Sequence, residues 1–80
     1  MIVYLEPMFG DAKSNISRAK TQLEKALGFR GMITDIRTED KRIVIDFKVN
    51  PNWELSAREK ARYLRDWLPT RVFHFKVRYR

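Results

Sequence analysis

"GMITDIRTEDKRIVIDFKVN", residues 31–50, decides the fold. Two runs rich in β-branched residues, GMITDIRT and RIVIDFKVN, flank the polar segment EDK, a combination that predicts a β-hairpin. Successive side chains of a strand point to opposite sides, so Ile43, Ile45, Phe47 and Val49 share one face while Arg42, Val44, Asp46 and Lys48 share the other. The same alternation groups Ile33, Asp35 and Arg37 in the first run. Pro51 closes the second run, and acids such as Glu39 and Asp40 suit the turn between them.

A helix is predicted on each side of the hairpin. From about Ser14, the residues Ile16, Ala19, Leu23, Ala26 and Leu27 recur three or four apart, the spacing of one helical face. Gly28 stands where a left-handed residue ends such a helix, and Phe29 follows as its apolar companion. Ser56 and Glu59 have the S-x-x-E spacing of a capping box, which starts a second helix with Ala57, Ala61, Leu64 and Leu68 on its apolar face, flanked by Trp67. Pro69 is expected to stop it after Leu68.

The ends of the chain are strands. MIVYLEP is β-rich and stopped by Pro7, and RVFHFKVRYR, from Arg71 onward, alternates apolar and cationic residues. The resulting order, strand, helix, strand, strand, helix, strand, is the split βαβ of α+β ferredoxin-like folds. It predicts a single domain over residues 1–80, with a four-stranded antiparallel sheet and both helices on one face. The first and third strands are central, and the second and fourth are edges.

Composition narrows the function. Seventeen Lys and Arg against ten Asp and Glu give a net charge of +7, and a pI near 10.2 favours polyanionic partners. With no cysteine there are no disulfides and no thiolate metal sites. The longest apolar run, MIVYL, is far short of a membrane span. No basic n-region followed by an apolar stretch opens the chain, so a cytoplasmic location without membrane contact is expected. So small a core also leaves self-association open.

With the helices on one side of the sheet, Val3, Leu5, Ile43, Ile45, Phe47, Phe73, Phe75, Val77 and Tyr79 are expected to face them. The open face then carries about six cations against two carboxylates, Asp35 and Asp46, with Tyr4 near its centre and a solvated His74 on the edge strand. Charge on an edge strand also guards against aggregation, which accounts for part of Lys76, Arg78 and Arg80. On the second helix, Arg58, Arg62 and Arg65 form another basic stripe, which also serves as a solvated flank covering the core with its stems.

The element order resembles that of RNA-recognition-motif domains, which bind single strands on the open face and stack bases on aromatics of the first and third strands. Their third strand runs basic-Gly-aromatic-Gly-aromatic; here KRIVIDFKV has no glycine, and its one aromatic, Phe47, is on the buried phase. The resemblance therefore extends to element order alone, and the chain is not assigned to that family. Tyr4 is left as the stacking candidate.

Catalytic machinery is not evident. The single His74 has no carboxylate or hydroxyl constellation, the acids are scattered, and no metal spacing occurs. GDAKS, residues 10–14, lacks the glycine that a phosphate loop has before its lysine, and EPMFGDAKSN has no arginine for acylphosphatase-like chemistry. The expectation is a non-enzymatic regulator without cofactor or metal, binding RNA or DNA through phosphate contacts at Arg37, Lys48, Lys76, Arg78 and Arg80, with Tyr4 stacking. The alternative is a protein-interaction module, a homodimer or an inhibitor or adaptor, built on an apolar centre of Tyr4, Ile33 and Val44 or on an edge strand.

Overall fold

The computed structural model describes residues 1–79; the proposed contact Arg80 lies outside them. Six main elements follow in order: β1 (Ile2–Pro7), α1 (Ile16–Leu27), β2 (Gly31–Glu39), β3 (Arg42–Val49), α2 (Ala57–Arg71) and β4 (Phe75–Tyr79). The sheet order is β2-β3-β1-β4, and every neighbouring pair is antiparallel. This is the α+β ferredoxin-like arrangement, with β1 and β3 central. Among the described residues no helix is long and apolar enough to cross a membrane.

Alternation sets the core. Val3 pairs with Ile45 and Leu5 with Ile43 across β1 and β3, while Leu5 also stands opposite Val77 of β4. These residues pack with Phe47, Leu23, Leu27, Leu64 and Leu68 into one cluster between sheet and helices. Burying each large side chain contributes roughly 1.5–3 kcal/mol, which is how so short a chain offsets its conformational entropy.

Local chemistry fixes the joints. The capping box forms as its spacing predicts: the Glu59 N–H donates to Ser56 Oγ at 3.2 Å, and the Ser56 N–H donates to Glu59 Oε1 at 3.3 Å. Gly28 ends α1 at φ 55° and ψ −130°, a backbone state that a Cβ disfavours. Between β1 and α1 the buried Asn15 side chain donates to the carbonyls of Phe9 at 2.9 Å and Asp11 at 2.7 Å. That clasp holds the connection, with Gly10 at φ 74° inside it.

Four expectations change. A bulge between Ile33 and Asp35 inserts Thr34 and resets the phase of β2, so Ile33 pairs with Phe47 and Ile36 with Ile45 on the helix side. Ile33 thus leaves the open face, whereas Asp35 and Arg37 remain there. Helix α2 runs through Pro69 to Arg71, because a proline in the last turn sacrifices a single backbone hydrogen bond while its φ stays helical. Phe73 is accordingly displaced from the core and is 62% exposed, while Val72 is buried in its stead. His74 precedes β4 at φ 69°; its carbonyl accepts the Met8 N–H at 2.9 Å, and its ring meets Phe9 edge-on with centroids 5.9 Å apart.

Candidate nucleic-acid interface

One row crosses the open face through all four strands: Arg37 opposite Val44, Val44 opposite Tyr4, Tyr4 opposite Arg78. Of the cations expected there, Arg37, Lys48, Lys76 and Arg78 stand on this face, with Lys48 opposite Met32 and Lys76 opposite Glu6. The expected apolar centre exposes little surface. Val44 is fully buried, Ile33 faces the helices, and the half-buried Tyr4 has the Arg42 guanidinium 4.1 Å from its ring centroid.

The charge of this face is close to balanced. Register adds Glu6 and Glu39 to Asp35 and Asp46, so four carboxylates meet five described cations, Arg37, Arg42, Lys48, Lys76 and Arg78. Arg37 is committed to Asp35 at 2.7 Å, and Arg42 lies 3.8 Å from Glu39. Asp46, directly opposite Asp35, lies 3.9 Å from the Met1 ammonium.

The excess of positive charge is on the other side. The helices and the connections leading into and out of them carry ten cations and five carboxylates. Alongside Ala61 and Asp66, Arg58, Arg62 and Arg65 line a shallow surface groove on α2. Among the described residues none of the three has a carboxylate partner within 4.0 Å. Arg65 lies on the β4 side of the helix, near enough to act on the ionisation of Tyr79.

The α1 side of α2 is built differently. Gln22, Lys25 and Ala26 of α1, Trp67 and Arg71 of α2, and Phe73 line a second groove. The Arg71 guanidinium lies 5.0 Å from the Trp67 ring centroid, and that of Arg30 lies 4.8 Å from it. Arg30 is also within 5.8 Å of the ring centroids of Phe29, Trp53 and Tyr63, so four aromatics surround one cation. Lys25, Arg71 and Phe73 were not among the residues the sequence nominated; the Trp67 to Arg71 spacing of i,i+4 was the available signal.

The connection into α1 brings its own carboxylate to the helix start. Asp11 Oδ1 already accepts the Ser14 N–H at 2.8 Å, and hydrogen bonding from Ser14 keeps the Asp11 carboxyl below the usual carboxylate range. No group of three or more metal-ligating side chains occurs among the described residues. In comparisons with known proteins, the chain matches no family model, no curated protein and no solved structure.

Proposed function

We propose that this protein is a small non-enzymatic binder of RNA or DNA that holds phosphates on its helical layer rather than mainly on its open sheet face. The observation carrying this reading is the partition of charge, a twofold excess of cations over carboxylates on the helical side against near balance on the sheet. Arg58, Arg62 and Arg65 supply three exposed guanidinium groups that fit phosphate oxygens and, among the described residues, have no carboxylate within 4.0 Å. Lys76 and Arg78 belong to the open sheet face, where Lys76 stands opposite Glu6, and contribute less.

Titration of labelled single- and double-stranded RNA and DNA by fluorescence anisotropy at about 50 and about 200 mM salt tests it, because released counterions make phosphate binding strongly salt-dependent. Arg62→Glu with Arg65→Glu is expected to weaken binding by tenfold or more, and Lys76→Glu with Arg78→Glu by less. Loss on the second pair alone would return the site to the sheet. No binding at the lower salt would end the nucleic-acid reading.

A further inference from the structure

We infer that the groove between α1 and α2 receives an unpaired nucleobase against Phe73, with Lys25 and Arg71 on the flanking phosphates, so that the protein prefers single strands to duplex. This rests on the nucleic-acid reading above and names the form of the ligand.

The first ground is an exposed aromatic on a fixed backbone. Phe73 is 62% exposed, yet its N–H donates to Gln22 Oε1 of α1. The preceding Val72 is buried, and its N–H donates to the Leu68 carbonyl at 3.1 Å, closing α2. With the backbone already fixed, covering the ring costs only the rotamer freedom of one side chain with two torsions.

The second ground is what surrounds that ring. The groove brings together two cations and no carboxylate. Two guanidinium groups lie about 5 Å from the same Trp67 ring, and Arg71 adds a planar surface beside Phe73. Neither arginine has a carboxylate within 4.0 Å among the described residues. Gln22 spends Oε1 on the Phe73 backbone, which leaves its Nε2 hydrogens for the edge of a base.

Aromatic surface beside unpaired cations is the combination that binds single strands, where bases are free to leave the stack and cover an aromatic ring. A duplex keeps its base faces stacked and presents phosphates alone. Duplex contacts would therefore stay with the Arg58, Arg62 and Arg65 stripe and leave Phe73 untouched.

The test compares the full chain with Phe73→Ala and Phe73→Leu on fluorescein-labelled oligo-dT and oligo-rU of about twelve nucleotides and on a duplex of equal length. Stacking on one base predicts a loss of about tenfold or more in single-strand affinity for Phe73→Ala, a smaller recovery with Phe73→Leu, and duplex affinity within about twofold. Equal loss on both forms, or no loss, overturns the groove as a base site while leaving phosphate binding by the α2 stripe intact. If no nucleic acid binds but a peptide of alternating Glu and Leu binds in a Phe73-dependent manner, both readings fall and the groove belongs to an acidic protein partner.

Discussion

Arg42 lies over Tyr4, its guanidinium carbon 4.1 Å from the ring centroid, so the one aromatic on the open sheet face that alternation offers for stacking is already covered. A cation in that position contributes about 0.5–1 kcal/mol at an exposed site. A base reaching Tyr4 would first have to displace it. Tyr4→Ala should therefore change single-strand affinity by less than about twofold, in contrast to Phe73→Ala. An anisotropy titration of both variants checks this, and a tenfold loss at Tyr4 would put the stacking site back on the sheet.

Val44 stands on the open face and is nevertheless fully buried, with Arg37 and Tyr4 as its cross-strand neighbours. A carboxylate at that position would lose its water, and the guanidinium opposite, Arg37, is already committed to Asp35; the cost is several kcal/mol in a protein whose whole stability is of order 5–10 kcal/mol. Val44→Asp is expected to unfold the chain or lower its urea midpoint sharply, and Val44→Ala to cost about 1–2 kcal/mol by analogy with other buried truncations. A folded Val44→Asp variant with an unchanged midpoint would show that the face opens more readily than its burial implies.

Period-two alternation made β3 legible, and helical spacing with a capping box did the same for α1 and α2. These signals are local, and tertiary packing agrees with them. The failures have equally local causes. Thr34 is an inserted residue that no polarity pattern marks, although Ile33 and Ile36 standing three apart in a strand was a trace of it. Phe73 heads an alternation that the adjacent Val72 interrupts, and α2 uses up Pro69, Thr70 and Arg71, so that β4 begins only at Phe75. The groove was harder still, since Gln22 and Lys25 of α1, Trp67 and Arg71 of α2, and Phe73 meet only through the packing of the two helices. The balance of charge on the sheet required the register, which places Glu6 opposite Lys76 and Glu39 opposite Arg42.

Tyr79 is tied to α2 by its hydroxyl, which donates to the Leu64 carbonyl at 2.9 Å. Burial pushes its pKa from 10.0 up to about 12, with Arg65 opposing and Asp66 assisting. The unfolded chain therefore releases this proton first as pH rises, so Tyr79 contributes stability below about pH 10 that is lost progressively towards pH 12. Tyr79 is only partly buried, which limits the effect to about 1 kcal/mol. Tyr79→Phe should lower stability by about 0.5–1.5 kcal/mol at neutral pH, and the gap from the parent protein should narrow above pH 10 in urea titrations. A gap that is constant with pH would mean that the hydroxyl is solvated.

Arg30 offers the sharpest test of what joins the two helices at this end of the sheet. Its guanidinium lies 4.8 Å from the ring centroids of both Phe29 and Trp67, 5.4 Å from that of Tyr63 and 5.8 Å from that of Trp53, while its buried Nε has no hydrogen-bond partner. The surrounding backbone is fastened by the Asn50 N–H, which donates to the Arg30 carbonyl at 2.7 Å, and by Asn50 Nδ2, which donates to the Phe29 carbonyl at 2.8 Å. The aromatic faces therefore stabilise a cation that lacks full hydration, and each partly desolvated cation–π contact is worth up to about 2 kcal/mol. Arg30→Met keeps most of the apolar stem and removes the charge; it should cost about 1–2 kcal/mol. Arg30→Ala also vacates the space between the rings and should cost more. Arg30→Lys should recover little, because a compact, strongly hydrated ammonium cannot lie flat against several rings. Urea midpoints followed by tryptophan fluorescence rank the three variants, and an Arg30→Met protein as stable as the parent would reduce the cation to a filler of space.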